Sequence, residues 1–272
     1  MNKSPILFFG LLILVSCTKT IVPPDNFTTT TISLSTHKLA SFSIINNTKY
    51  LIVFETGLGD DHSMWNQKNL PTTINAKEDV LLYDRAGYGK SGKGPAPRNI
   101  AKLSGELDSV INKFANGRKV ILVGHSIAGM IIRDFAIKNP SKIAGFLFID
   151  PSHEAYNNPT QAQEDLIYDT FLNSNGAEFG ATMEARELIE GAQYLTTLSN
   201  LPNVPVIVLT SMKVDASHNS IDRQSWFNAH ELLKTGVTDF THISTTNSGH
   251  YIFLEEPNLV LDNLNLLISK LP

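Results

Sequence analysis

The sequence contains very little cysteine: among its 272 residues there is one, Cys17. A single cysteine excludes a disulfide bond within the chain. Positive charge is also limited, since 22 lysines and arginines are outweighed by 26 acidic residues and the formal net charge is −4. Because the basic residues form no stripe or cluster along the sequence, we expect no nucleic-acid partner.

Metal-ligand spacing and long internal apolar runs are missing as well. Beyond the N-terminal region, no stretch approaches the roughly 20 apolar residues that a membrane-spanning helix needs. Several histidines are not paired at spacings typical of metal ligands, namely His62, His153, His218, His230 and His242. We therefore predict no metal site, no cofactor and no membrane span in the folded part of the chain.

The N-terminus is different from the rest of the chain. Lys3 precedes a short apolar run over residues 6–15, which is typical of a secretory signal peptide. The run ends in Leu14-Val15-Ser16-Cys17, which resembles a bacterial lipobox, the site at which a lipid is attached to cysteine. This resemblance implies a signal peptide over residues 1–16, lipidation of Cys17 and a tether over residues 17–31. The mature protein would then be an exported cell-envelope lipoprotein, held to a membrane only by its lipid anchor.

The rest of the chain alternates between patterns of strand and helix. Apolar strand patterns lie at 50–54, 79–83, 120–123, 143–149, 204–210 and 238–245, and helical patterns lie between most of them. Two further strand patterns, at 30–35 and 37–45, predict a hairpin at the start. This alternation predicts an α/β domain over residues 32–272 with a mainly parallel sheet. Residues 152–201 interrupt it with helical patterns at 161–171 and 182–198, which we interpret as a small helical lid.

One turn between a strand and a helix carries a candidate nucleophile. Val120 to Val123 are continuously apolar, and they are followed by Gly124-His125-Ser126-Ile127-Ala128-Gly129. Small residues around Ser126 permit the sharp turn that would place its hydroxyl at the end of a helix, where amides stabilise an oxyanion. The alternative interpretation is an ordinary turn whose serine caps the following helix.

Three motifs together resemble the α/β-hydrolase superfamily across nearly the whole predicted domain. They are the turn at Ser126, the run Asp84-Arg85-Ala86-Gly87-Tyr88-Gly89-Lys90-Ser91, and Gly249-His250 before the last helix. The turn departs from the family's Gly-x-Ser-x-Gly pattern, because Ala128 replaces the second glycine. The resemblance implies an eight-stranded, mainly parallel sheet flanked by helices, with Ser126 as nucleophile and His250 as general base. It implies a structural role for Arg85 and Ser91.

The remaining members of the site are less well defined by the resemblance. The acid that orients His250 is either Asp150, at the end of one strand, or Asp215, shortly after the next, and we favour Asp150. The oxyanion hole is expected to use the backbone amides of Ile127 and Leu58.

The leading functional hypothesis is a serine hydrolase that cleaves a carboxylic ester of a small molecule through an acyl-enzyme. Apolar lid residues are candidates for the wall of an acyl pocket, namely Leu166, Ile167, Phe171, Phe179, Leu188, Ile189, Tyr194 and Leu195. One alternative is an aminopeptidase or amidase similar to the proline iminopeptidases, with lid carboxylates that bind a substrate amine: Glu164, Asp165, Glu184 and Glu187. The other is a binding protein without catalytic activity on the same fold.

Overall fold

A single sheet of eight strands forms the centre of the protein, in the order β1-β2-β4-β3-β5-β6-β7-β8. The structure is a computed structural model that describes residues 26–74 and 77–272. β2 pairs antiparallel with β1 and β4, and all other pairs are parallel. The strands are β1 (Thr28–Ser33), β2 (Lys38–Ile44), β3 (Leu51–Glu55), β4 (Asp79–Tyr83), β5 (Val120–His125), β6 (Ile143–Ile149), β7 (Val206–Ser211) and β8 (Phe240–Thr245). The mainly parallel sheet predicted from the alternating pattern is confirmed.

Alternate residues of the central strands enter two separate hydrophobic cores. Val120 and Leu122 of β5 pack into the core on one face of the sheet, whereas Ile121 and Val123 pack into the core on the other. Both faces are therefore covered, which explains why these strands read as continuous apolar runs rather than alternating ones.

Helices cover both faces of this sheet. They are α1 (Ser63–Asn66), α2 (Leu70–Ile74), α3 (Ile100–Phe114), α4 (Ala128–Lys138), α5 (Gln161–Asn175), α6 (Gly180–Ala185), α7 (Leu188–Leu195), α8 (Ser220–Glu231), α9 (Ile252–Glu255) and α10 (Pro257–Ser269). α3 and α4 contribute to one core, and α1, α2, α9 and α10 contribute to the other. None of the helices in the described ranges has the length and apolar character to cross a membrane.

The insertion after β6 contains three helices, α5, α6 and α7, where the sequence predicted two. The chain leaves the helical path at Arg186 and Glu187, which separates α6 from α7. Neither residue is glycine or proline, so the local sequence carried no signal for this break.

The folded domain begins earlier than residue 32. Thr28 to Thr31 belong to β1 and pair with residues 40–43 of β2, so these four threonines extend the sheet instead of the tether. β-branched threonine is well suited to an edge strand. The predicted signal peptide, Cys17 and the tether up to Asp25 lie outside the described residues.

Candidate active site

Ser126 lies at the carboxyl end of β5, on a sharply turned backbone that leads into α4. Its φ angle is 57°, in the left-handed region that side-chain-bearing residues rarely adopt. Such a turn lifts the hydroxyl away from the strand and places it at the N-terminus of the following helix.

The glycines on either side of Ser126 lie at close contacts within the turn. A Cβ on Gly124 would lie 2.7 Å from Ile132 Cδ1, and one on Gly129 would lie 2.5 Å from Pro151 Cβ. The methyl group of Ala128, by contrast, is accommodated in full burial. The departure from the family pattern at Ala128 therefore leaves the turn intact, because the second close approach occurs at Gly129.

His250 and Asp150 are joined by a hydrogen bond across the carboxyl end of the sheet. His250 Nδ1 lies 2.7 Å from Asp150 Oδ2, and Asp150 Oδ1 accepts from the Ser211 amide at 2.8 Å and from Trp226 Nε1 at 2.7 Å. Burial by itself would raise the pKa of Asp150, but the hydrogen bond and charge of His250, with the Trp226 donor, lower it below its usual value. Asp150 is thus held as a carboxylate against the imidazole. Sequence reasoning missed Trp226, which comes from α8 and carries no motif.

Asp215 lies in the loop between β7 and α8, shortly after the strand as the sequence predicts. Its carboxylate accepts from the amides of Ser217 and His218 and forms an ion pair with Arg223 at 3.0 Å. The side chain is 41% exposed. Asp215 borders the same cavity as His250, but its contacts hold the loop before α8, whereas Asp150 holds the imidazole.

The amides of Leu58 and Ile127 are both available at the nucleophile. Leu58, Ser126 and Ile127 line one cavity, and within the described residues neither amide donates a hydrogen bond. Ile127 also lies at the N-terminus of α4, where the helix dipole favours negative charge. Backbone amides without an internal partner are the donors that an oxyanion hole requires.

Arg85 holds the loop that carries Leu58. Its guanidinium is fully buried and donates to the carbonyls of Thr56 at 2.7 Å and Gly57 at 2.8 Å. It also contacts two buried carboxylates, Glu55 at 2.8 Å and Glu184 of the lid at 2.9 Å. A buried guanidinium needs such partners, and this set connects α6 of the lid to the loop beside the nucleophile. The ion pair between Arg85 and Glu184 joins residues that are 99 positions apart, so no local pattern predicts it.

Ser91 and Asp84 hold the glycine-rich loop that follows β4. Ser91 Oγ donates to the Asp84 carbonyl at 2.6 Å and accepts from the Ala40 amide at 2.8 Å. Asp84 accepts from the amides of His62 at 2.9 Å and Lys90 at 2.8 Å. These contacts place the Ser91 hydroxyl in the loop framework, away from the cavity lining.

Asp61, His62 and Asp84 place metal-ligand atoms within 4.8 Å of one another. No local spacing predicts this cluster, because His62 and Asp84 are 22 residues apart. In this structure His62 Nδ1 lies 2.7 Å from Asp84 Oδ1, and Asp61 accepts from Ser63. His62 and Asp84 thus bind each other and Asp61 binds Ser63, so the cluster is accounted for as loop structure.

A cavity of about 340 Å³ lies above Ser126, Asp150 and His250. Of the lid residues considered for its wall, Ile167 and Leu188 line it. Phe171 and Leu195 are buried in the hydrophobic cores, and Leu166 is 59% exposed. The wall is completed by Leu58 and Met130 of the main domain and by Arg223 of α8. The segment that follows β6 contributes Tyr156, Asn157 and Pro159.

Comparison with known proteins identifies the family to which the chain belongs. A family model described as alpha/beta hydrolase fold matches residues 50–261. The chain therefore belongs to the α/β-hydrolase family, and this membership supports a hydrolytic enzyme.

Individual relatives agree with this assignment. An uncharacterized protein of Bacillus subtilis, YqjL, is 28% identical over 213 residues, which cover 77% of this chain and 79% of that protein. A putative carbamate hydrolase, RutD, of Azorhizobium caulinodans is 26% identical over 99 residues, 36% of either chain. Among solved structures, a thermophilic esterase from Thermogutta terrifontis superposes with a TM-score of 0.69 at 16% identity, covering 89% of this chain and 98% of its own.

Proposed function

We propose that this protein is a serine hydrolase that cleaves a carboxylic ester, or a related acyl bond, through an acyl-enzyme on Ser126. The observation that carries the proposal is the hydrogen bond of 2.7 Å between His250 Nδ1 and Asp150 Oδ2 at the cavity that Ser126 lines. Ionised Asp150 can only accept, so the proton of neutral His250 resides on Nδ1. Nε2 therefore keeps its lone pair for the serine hydroxyl.

The reaction follows from this tautomer. Ser126 Oγ attacks the ester carbonyl while His250 Nε2 takes its proton, and the amides of Leu58 and Ile127 stabilise the negative oxygen that forms. Collapse of this intermediate breaks the bond to the alcohol, which leaves with the proton from His250. Water then attacks the acyl-enzyme, again with His250 as base, and releases the carboxylic acid and free Ser126. Asp150 stabilises the imidazolium in both halves of the reaction.

The apolar part of the cavity supports an ester with an acyl group of modest size as the default substrate. The lid carboxylates give no support to an amine site of the iminopeptidase type. Glu184 pairs with Arg85, Glu164 accepts from the Ile189 amide at 2.9 Å, and Asp165 pairs with Arg186. Three of the four carboxylates considered for that role are thus engaged within the protein.

Labelling by a fluorophosphonate probe, combined with ester turnover, tests the proposal. Ser126→Ala should remove the label and lower ester hydrolysis by at least about 1,000-fold, because the nucleophile is lost. Ser91→Ala, which removes a hydroxyl from the glycine-rich loop, should still be labelled. Equal labelling of the wild type and Ser126→Ala would contradict the proposal, and the absence of labelling and turnover in the wild type would favour the non-catalytic binding protein.

We also propose that Cys17 carries a lipid and anchors the exported enzyme to a bacterial membrane. The support is the Leu14-Val15-Ser16-Cys17 motif behind a short apolar run. In membrane fractions, Cys17→Ala should move the protein into the soluble fraction with its turnover retained. Continued membrane association of this variant would contradict the anchor.

A further inference from the structure

Two buried acceptor atoms at one end of the catalytic cavity have no donor. Within the described residues, His125 Nδ1 and Asp60 Oδ2 are both buried and make no hydrogen bond. Both residues line the cavity, together with Gly57, Tyr251 and His250. Unpaired buried acceptors are rare and costly in folded proteins, so two of them side by side at an enzyme's cavity call for a ligand.

The tautomer of His125 follows from the one hydrogen bond that its ring makes. Nε2 lies 3.0 Å from the backbone carbonyl of His250, which can only accept, so Nε2 carries the proton. Burial and the neighbouring His250 hold the pKa of His125 well below its usual value, which keeps the ring neutral. Nδ1 is therefore an unprotonated acceptor, and no residue in the ranges 26–74 and 77–272 donates to it.

Asp60 also has one buried oxygen without a donor among the described residues. Burial raises the pKa of its carboxyl to about 6, and the charges of Arg85 and His250 offset this only in part. Tyr251 gives the carboxyl a hydrogen bond that lowers its pKa in part, yet the Oδ2 atom has no hydrogen-bond partner of normal geometry among the described residues. At neutral pH this is mainly a carboxylate in a poorly solvated site without a cation in contact.

Both acceptors converge on the loop that carries the oxyanion amide. A Cβ added to Gly57 would lie 3.0 Å from His125 Nδ1 and 3.1 Å from Asp60 Oδ2. Gly57 directly precedes Leu58, and His125 directly precedes Ser126. A group bound by the two acceptors would therefore lie within a few bonds of the carbonyl under attack.

We propose that His125 Nδ1 and Asp60 Oδ2 form a subsite for a protonated amine, so that the preferred substrates are esters with an ammonium group close to the scissile carbonyl. An ammonium group supplies N–H donors to both atoms and a positive charge to the carboxylate. A neutral hydroxyl or a water molecule would supply donors without neutralising Asp60. This inference rests on the proposed ester hydrolysis, and it uses main-domain residues, not the lid carboxylates considered above.

Three small esters measured side by side test the subsite. Ethyl propionate is the neutral reference, ethyl alaninate carries the amine on the acyl group, and 3-aminopropyl propionate carries it on the alcohol. The wild type should prefer one of the amine esters over ethyl propionate in kcat/KM, and the favoured one identifies the side of the carbonyl that the subsite serves. In Asp60→Asn this preference should fall by about 10- to 100-fold, as expected for the loss of one hydrogen bond to a charged group.

The neighbouring carboxylate provides the matched control. Asp61 accepts from the amide and hydroxyl of Ser63 and does not line the cavity, so Asp61→Asn should keep the preference. The subsite is overturned if the wild type hydrolyses ethyl propionate as well as both amine esters, which would assign the two acceptors to a water molecule. It is also overturned if Asp60→Asn retains the preference, or if Asp61→Asn loses it equally. Turnover of ethyl propionate without any amine preference leaves the proposed hydrolase intact, whereas no turnover of any ester counts against both proposals.

Discussion

Asp150 and Asp60 are two buried carboxylates that border the same cavity in opposite states. Asp150 accepts from three donors, His250, Ser211 and Trp226, and its pKa is lowered. Asp60 Oδ2 accepts from no described residue, and burial raises the pKa of its carboxyl to about 6. Burial disfavours the charge of both, so the difference lies in the number of donors. Asp150 is thereby held as a permanent carboxylate, whereas the proposed subsite would complete Asp60 only when an ammonium group binds.

The largest expected effect comes from removing the charge of Asp150, the carboxylate that accepts from three donors. Asp150→Asn should lower kcat/KM for ester hydrolysis by about 1,000- to 10,000-fold, because the amide neither fixes the His250 tautomer nor stabilises the imidazolium. Asp215→Asn, at the other candidate acid, should lower it by no more than a few fold. Steady-state kinetics on both variants makes the comparison, and equal losses would show that no single acid dominates.

A smaller effect is expected when one donor to Asp150 is removed. Trp226→Phe deletes the Nε1–H that lies 2.7 Å from Asp150 Oδ1, so the carboxylate becomes more like that of Asp60. We expect kcat/KM to fall about tenfold and the acid limb of the pH–rate profile to change, since one hydrogen bond to a charged group is lost. Trp65→Phe is a suitable control, because the Trp65 Nε1 atom is buried without a hydrogen-bond partner among the described residues. If both variants lose activity equally, packing and not the hydrogen bond explains the loss.

The last effect concerns stability instead of turnover, and it has opposite signs at the two carboxylates. The folded-state pKa of Asp60 is raised to about 6 from a usual value of 3.8, so its ionisation destabilises the folded protein progressively as the pH rises between these values. Asp60→Asn removes this cost and should increase the free energy of unfolding at pH 8 by up to about 3 kcal/mol, and by less than about 1 kcal/mol at pH 4. The pKa of Asp150 is lowered, so its ionisation stabilises the folded state above the unfolded pKa, and Asp150→Asn should destabilise the protein at pH 8.

Denaturant unfolding at the two pH values measures these changes, with Asp61→Asn as a control expected to shift stability by no more than about 0.5 kcal/mol. No gain in Asp60→Asn at pH 8 would show that the wild-type carboxylate is already satisfied in solution. Such a result would remove the contrast between the two sites.

Local sequence patterns were sufficient to predict the central sheet, its helical insertion and the turn at Ser126. Continuous apolar runs such as Val120 to Val123 occur where strands are buried on both faces, and small residues cluster where a strand must turn sharply into a helix. These constraints act over a few residues, so the mainly parallel sheet, the helical insertion and the turn at Ser126 could all be predicted. The break between α6 and α7 was missed because no local residue type marks it. β1 begins at Thr28, two residues before the predicted strand pattern, and these two threonines were assigned to the tether.

The choice between Asp150 and Asp215 was open in the sequence for a physical reason. Both residues follow strands whose carboxyl ends meet at one edge of the sheet, and periodicity does not tell which side chain turns toward His250. That was decided by contacts between distant segments, since 100 residues separate Asp150 from His250 and 76 separate it from Trp226. The lack of donors to Asp60 Oδ2 and His125 Nδ1 within the described residues is likewise a result of tertiary packing. Local sequence determined the turn that carries the candidate nucleophile. The tertiary structure decided which polar groups around that turn have hydrogen-bond partners.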